Sequence, residues 1–199
     1  VIPKRLHFIW MQGLEAMPED YRRCYDSWAP LHPDWEILLW DRKAIEQLGI
    51  LNEWVLGIDN PTVQSEVLRF EIVYSYGGIY LDADIECLKP IDSLLKLGDA
   101  FVSMRNKRDY ENNGFGAIAG HDWIEGIVRA LHSQRERIRR PLQIDSVVHN
   151  QTPARCVPVI PFYMLHCMNT ERDRNKVRDK ALAIHHRFSL WMKAEEAHA

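Results

Sequence analysis

From Asn60 to Pro90 the chain reads NPTVQSEVLRFEIVYSYGGIYLDADIECLKP, and this run leaves little freedom in how it folds. Asn60 precedes Pro61. An Asn side chain caps the free amides of a helix start, and proline is tolerated at the first helical position. Val63, Val67, Phe70 and Tyr74 recur at spacings of four, three and four, which is one apolar helical face. Gly77 and Gly78 end that helix, since glycine takes the left-handed conformation without a Cβ penalty. Ile79, Tyr80 and Leu81 then read as a short buried strand, with Asp82, Ala83 and Asp84 at its C-terminal end. In open α/β sheets that edge is where ligands bind.

An Asp-x-Asp at a strand end can turn both carboxylates toward one site, although along a strand they would alternate. Mg²⁺ and Mn²⁺ commonly take one or two carboxylates together with substrate phosphate oxygens. The plain alternative is a solvated polar turn, because the tripeptide is common by chance. Two neighbouring acids directly after a buried apolar strand repel each other unless a cation or a base compensates, and this favours the metal reading.

The rest of the chain alternates strand and helix signals, the pattern of an α/β sheet. Leu6–Trp10 reads as a strand ending in an aromatic, and Pro18–Trp28 as a helix with Tyr21, Tyr25 and Trp28 on one core-facing stripe. Glu36–Trp40 is a second strand, and Ala44–Leu48 and Asn52–Leu56 are short helices. After Pro90 come a turn-helix over Ile91–Leu95, a strand over Ala100–Met104 and a polar loop over Arg105–Asn112. Asn113–Ala119 is a strand flanked by glycines, where a ligand can approach the backbone. Gly120-His121-Asp122 caps a helix from Trp123 to about Arg139, which ends in the basic cluster Arg135, Arg137, Arg139 and Arg140. Such a cluster is usually a solvated helix end and, less often, a contact for an anionic acceptor. Val157–Pro161 is an edge strand, Glu171–Lys180 an exposed charged segment, and Ala183–His186 a final strand.

Composition narrows the class. At 199 residues, one domain over 1–199 is expected, with 46% apolar and 27% charged residues as in ordinary globular chains. A net charge of −3 argues against nucleic acid as the main partner. No apolar run is long enough to span a bilayer, so a soluble, cytoplasmic protein is expected. Val1 is not an initiator methionine, which leaves a removed signal or anchor open. Cys24, Cys87, Cys156 and Cys167 show no CxxC spacing and suggest neither zinc nor a disulfide scaffold.

Taken together, Ser65, Leu68-Arg69, Tyr76-Gly77-Gly78-Ile79-Tyr80, Asp82-x-Asp84 and Cys87-Leu88-Lys89-Pro90 resemble the DxD-containing sugar-binding region of retaining glycosyltransferases. Relatives of this kind include yeast-type initiating mannosyltransferases, α1,4-galactosyltransferases, small bacterial and viral members and, distantly, the clostridial glucosylating toxins. The resemblance implies a single-domain α/β chain of the glycosyltransferase A type, a Rossmann-like mixed sheet flanked by helices. It implies that Ile9 and Trp10, ending the first strand, hold the uracil of a UDP-sugar, on which an indole stacks with roughly 1–3 kcal/mol. Ser65, Glu66 and Arg69 share a helix face. Relatives carry Ser-Asp-x-x-Arg there, and the Asp and Arg bind donor-sugar hydroxyls. Here Glu66 replaces the usual Asp, which bears on which sugar is taken. A surface Glu–Arg pair of little worth is the plain alternative.

The same resemblance places Tyr80 and Asp82 in the donor site and Asn113 near the transferred sugar, with Asn112 as runner-up and a simple turn Asn as the alternative. Relatives close with Ile-His-His and a downstream Trp, matched here by Ile184-His185-His186 and Trp191. A C-terminal His can complete a metal site begun by Asp82 and Asp84; alternation admits one of the pair, and the family pattern favours His185. Departures lie at Thr152-Pro153, which lacks the family's glycine, and at Arg187 and Leu190, where Trp and Ser are frequent.

The implied activity is transfer of a hexose from a nucleotide diphosphate, UDP by this reading, to a hydroxyl on a glycan, lipid or protein acceptor. Mn²⁺ or Mg²⁺ would assist, and the anomeric configuration would be retained, with Glu66, Arg69, Asp82, Asp84 and Asn113 as the residues at the reacting sugar. The alternatives are a catalytically inactive nucleotide-sugar-binding module and an Asp-x-Asp phosphatase. The phosphatase is disfavoured because Glu86 or Cys87 stands where its Thr belongs.

Overall fold

A computed structural model describes residues 1–104, 110–151, 157–165 and 180–188. Cys156, Cys167, Thr152-Pro153, Leu190, Trp191 and all of the charged segment before Lys180 lie outside the described residues. In chain order the elements are β1 (Arg5–Ile9), α1 (Glu19–Asp26), β2 (Glu36–Trp40), α2 (Arg42–Ile45), α3 (Pro61–Tyr76), β3 (Gly78–Leu81) and β4 (Ile85–Cys87). They continue with β5 (Ala100–Met104), β6 (Tyr110–Ala117), α4 (Asp122–Ser133), α5 (Pro141–Asn150), β7 (Val159–Pro161), α6 (Phe162–Leu165) and β8 (Ala183–His185). Short 3₁₀ turns cover Glu53–Gly57 and Asp92–Lys96, where short helices were expected.

Six strands form a mixed sheet in the order β2-β1-β3-β6-β5-β7, and β4 pairs with β8 in a separate antiparallel ribbon. β1 runs parallel to both β2 and β3, while β6 is antiparallel to β3 and β5. Alternation along the strands builds two cores. Ile9, Tyr80, Ala100, Val102, Phe115 and Ala117 face the layer of α3, α4 and α5. Leu6, Phe8, Ile79, Leu81 and Phe101 face Trp28, Trp35, Ile91 and Leu94 on the other side. Packed layers on both faces make this a mixed-sheet α/β fold.

α3 forms as its ends dictate. Asn60 Oδ1 accepts from the Thr62 and Val63 amides at 3.0 and 3.2 Å, Pro61 takes the first helical position, and Gly77 ends the helix at φ 62°. A Cβ on Gly77 would sit 2.7 Å from the Ala119 amide, and one on Gly78 2.8 Å from the Arg5 carbonyl, so the strand enters the sheet only with glycine at both positions. The expected apolar stripe understates the burial of α3: Gln64, Arg69 and Glu71 are buried as well. Glu71 accepts from the Asn52 amide at 2.8 Å and from Asn52 Nδ2 at 2.6 Å, which pins the preceding turn to α3.

Several boundaries differ from expectation. The helix expected from Trp123 to Arg139 ends at Ser133 as α4, the arginine cluster lies in the connection that follows, and α5 is a further helix beyond the expected one. Ile138 is buried there, and Gln143 Oε1 accepts from the Arg139 and Arg140 amides at 2.6 and 3.0 Å, which starts a new helix at Pro141. Residues 110–112, expected in a loop, belong to β6. Gly116 makes room for a protein side chain instead of a ligand, since a Cβ there would meet the Phe101 ring at 2.6 Å. Of the aromatic stripe, Trp28 is buried past the end of α1, while Tyr21 and Tyr25 are only half-buried and Cys24 is the residue the helix buries.

His7 ties three segments together. Trp40 Nε1, which can only donate, gives its hydrogen to His7 Nδ1 at 3.1 Å, so His7 Nε2 donates to the Gly77 carbonyl at 2.7 Å. Burial drives this ring down from 6.5 to about 4, against the opposing pull of the Gly77 carbonyl. The neutral ring therefore stabilises the fold fully above pH 6.5, and the contribution is lost as pH falls through about 4, a change on the order of 3 kcal/mol. We expect the stability gap between wild type and His7→Gln to be widest above pH 6.5 and to narrow toward pH 4 in urea titrations. A gap constant with pH would show that the ring is not held neutral by the fold.

Candidate active site

The register of the sheet gathers the site at the C-terminal end of β3. Leu6 pairs with Ile79 and His7 with Tyr80, so Trp10, one residue past β1, lies level with the Asp82–Asp84 turn. Leu81 pairs with Gly114, which sets Asn113 beside Asp82, and the Asp82 amide donates to the Asn113 carbonyl at 3.0 Å. Ile85 pairs with His185 across β4 and β8, so the C-terminal His returns to the Asp84 turn from a hundred residues away in sequence.

These pairings bring Asp82, Asp84 and His185 together, with one ligand atom from each within 4.8 Å of the others. His185 Nε2 lies 3.2 Å from Asp84 Oδ1, and Asp84 Oδ2 accepts from the Phe188 amide at 3.1 Å. Burial alone would raise the Asp84 carboxyl, but the hydrogen bond and charge of His185, with the Phe188 amide, hold it below the usual range. Asp82 goes the other way: burial and the neighbouring Asp84 charge raise it, against the pull of Arg69. Two carboxylates and an imidazole suit Mn²⁺ or Mg²⁺. His186 is not in this cluster; its Nε2 lies 2.7 Å from Glu86 Oε2. Asn113 Nδ2 lies 3.3 Å from His185 Nδ1, and Asn113 Oδ1 is buried with no hydrogen-bond partner among the described residues. An orphaned buried acceptor is a natural place for a ligand donor.

Beside the acidic cluster sits Arg69, only 2% exposed. Its guanidinium lies 3.2 Å from Glu66 Oε1, 3.3 Å from Asp82 Oδ1 and 4.7 Å over the Tyr80 ring centroid. Nε donates to the Ser65 carbonyl at 3.1 Å and Nη1 to the Asn112 carbonyl at 2.8 Å. Arg69 is buried and Glu66 half-buried, so this is not the exposed pair offered as the plain alternative. Burial is the largest influence on Glu66, and with Asp82 and Asp145 nearby it pushes the carboxyl up to about 7 despite Arg69. Tyr80 donates its hydroxyl to Asp82 Oδ1 at 2.8 Å and is buried, so it positions Asp82. Ser65 Oγ donates within the helix to the Thr62 carbonyl, and its contribution is the carbonyl that holds Arg69.

Ile9 is buried in the core, whereas Trp10 is half-buried with its indole 4.9 Å from the Tyr21 ring. Tyr21 in turn lies 5.0 Å from Phe188, so an aromatic row joins the end of β1 to the segment after β8. The thiols of Cys24 and Cys87 are buried and pushed up to about 12, so neither is a thiolate nucleophile near neutral pH. The residue missed from sequence is Asp145 on α5, 3.1 Å from Asn112 Nδ2. The signal was available in Pro141 followed by Ile144, Val147 and Val148 at helical spacing.

Comparison with known proteins bears on the fold and on the segment that carries Asp82 and Asp84. The PaToxG glycosyltransferase superposes with a TM-score of 0.60 at 17% identity, covering 75% of this chain and 67% of that one. The galactosyltransferase LgtC, solved with donor and acceptor sugar analogues, superposes with a TM-score of 0.54 at 14% identity over 93% of this chain and 87% of its own. The fold is therefore that of the glycosyltransferase A enzymes. Residues 18–99 match the family described as the glycosyltransferase sugar-binding region containing a DXD motif. Asp82-Ala83-Asp84 falls inside the matched segment. Inositol phosphoceramide mannosyltransferase 3 of Schizosaccharomyces pombe is 33% identical over 135 residues, 65% of this chain and 37% of that protein. The chain spans about two fifths of the length of the curated relatives it matches first, at 37, 44 and 39%. Among the described residues no helix is long and apolar enough to cross a membrane.

Proposed function

We propose that this chain transfers a hexose from a nucleoside diphosphate sugar to an acceptor hydroxyl, with a divalent cation and with retention. The observation that carries the reading is the convergence of Asp82, Asp84 and His185 beside the ion pair of buried Arg69 with Glu66. Asp82, Asp84 and His185 would hold the cation. When bound, the cation offsets charge growing on the departing diphosphate. Trp10 offers a face to the base, Glu66 and Arg69 present an acceptor and donors to sugar hydroxyls, and Asn113 Oδ1 accepts from a hydroxyl near the anomeric carbon. No side chain is assigned as a nucleophile, so attack is on the face the diphosphate leaves. The acceptor O–H and the sugar–phosphate bonds break, the new glycosidic bond forms, and the proton passes to a phosphate oxygen. A lipid, glycan or protein hydroxyl serves as acceptor.

UDP is our reading of the donor nucleotide, and the names of the mannosyltransferase relatives place mannose among the first sugars to try. The test is nucleoside diphosphate release from a panel of UDP- and GDP-hexoses with Mn²⁺ or Mg²⁺. Release from one donor, lost on adding a chelator, is expected. No release and no cation-dependent binding for any donor would overturn the reading. For Trp10→Ala we expect nucleoside diphosphate binding weaker by about 1–3 kcal/mol in titration calorimetry. Unchanged affinity in the folded variant would refute base stacking.

A further inference from the structure

We propose that Asp145 is a positioning residue for the donor sugar: by sharing the amide of Asn112 with Glu66, it holds the Glu66 carboxylate where sugar hydroxyls arrive. This rests on the reading of Glu66 and Arg69 as the donor-sugar side of the site. Asn112 Nδ2 has two hydrogens and spends both on carboxylates, at 2.7 Å to Glu66 Oε2 and 3.1 Å to Asp145 Oδ1. On its acceptor side, Asn112 Oδ1 and carbonyl face Arg69 Nη1 at 3.3 and 2.8 Å. The amide is therefore fixed from both sides and cannot rotate without losing a charge-assisted bond.

α5, which carries Asp145, packs against α3, α4 and β6, the elements that supply or support Glu66, Arg69 and Asn112. It fixes Asp145 from outside the family-matched segment 18–99. Arg69 pairs with Glu66 and Asp82, and Asp145 stands one amide further out on Asn112, three acids near one guanidinium. Such a cluster is rich in acceptors. It suits hydroxyl groups and repels phosphate, so it orients a nucleotide sugar with its hexose toward α5 and its diphosphate toward Asp84 and His185. Asp145 adds a second carboxylate to the Asn112 amide that holds Glu66.

The test compares Asp145→Ala, Asp145→Asn and Glu66→Gln, using a turned-over donor and the corresponding nucleoside diphosphate alone. Asp145→Ala is expected to lower kcat/KM by about tenfold through donor KM, while affinity for the nucleoside diphosphate and the melting temperature stay near wild type. Asp145→Asn keeps an acceptor for the Asn112 amide and recovers most of the loss. Asp145→Ala adds nothing in an Asn112→Ala background, because the shared amide is already gone. Wild-type donor kinetics in Asp145→Ala, with Glu66→Gln impaired, would overturn this inference alone. An equal loss of nucleotide binding or a collapse of the melting temperature would make Asp145 structural and overturn it too, as would an Asn variant no better than Ala. Glu66→Gln with wild-type donor kinetics would instead sink the underlying reading of the sugar side.

Discussion

Replacing Asp84 by Asn is expected to lower turnover by about a hundred- to a thousandfold or more, in a protein that still folds. Asp84 Oδ2 accepts from the Phe188 amide, and the side-chain carbonyl oxygen of the substituted amide can take over that bond. The β4–β8 ribbon and the bond from the His186 amide to the Asp84 carbonyl use backbone alone. What the variant lacks is charge, since a neutral amide neither neutralises a cation nor matches His185 as a ligand partner. Steady-state turnover at saturating Mn²⁺, beside a melting curve, decides the matter. Turnover within tenfold of wild type would remove Asp84 from the metal site.

Replacing Arg69 by Met is expected to destabilise the fold strongly. The guanidinium is buried and answers two carboxylates, so its loss leaves Glu66 and Asp82 facing each other without a cation. Breaking such a pair costs about 3–5 kcal/mol, or roughly 6–20 °C in melting temperature for a chain this size. Arg69 lowers the carboxyls of both acids, so they rise further when it is gone. Protonation then relieves the repulsion, and the gap from wild type narrows as pH falls from 8 toward 5. A gap that widens on acidification would mean that the guanidinium packs as hydrocarbon and does not answer charge.

The contrast between these two sites shows what could be read from sequence and what could not. Asn60-Pro61, Gly77-Gly78 and the Asp-x-Asp are local codes, in which each residue's own backbone or capping chemistry decides the outcome. The limits of α3 followed accordingly, and those of β2 and β5 matched the expected apolar runs. The depth of Arg69 is not local. Helical spacing put it on a face with Glu66, but its burial is made by Asn112 from β6 and Asp82 from the end of β3. The β4–β8 ribbon is three residues against three, joined across a hundred residues: β8 was expected as a strand, but β4 is too short to show a periodicity and the pairing is not local. The break between α4 and α5 was hidden because Gln134 and the arginines favour helix; a side-chain cap from Gln143 and the burial of Ile138 outweigh them. Asp145 was lost with that break.

The central claim is that Asp82, Asp84 and His185 hold a cation jointly with the diphosphate of a nucleotide sugar. A cation with so few protein ligands is held largely by the nucleotide, so each should strengthen the binding of the other. Melting temperature measured with nucleoside diphosphate, with Mn²⁺, and with both tests this directly by linkage. We predict that the two together raise the melting temperature of the wild type by more than the sum of each alone, and that the excess vanishes in Asp84→Asn. Purely additive shifts in the wild type, or an excess that survives in Asp84→Asn, would contradict it.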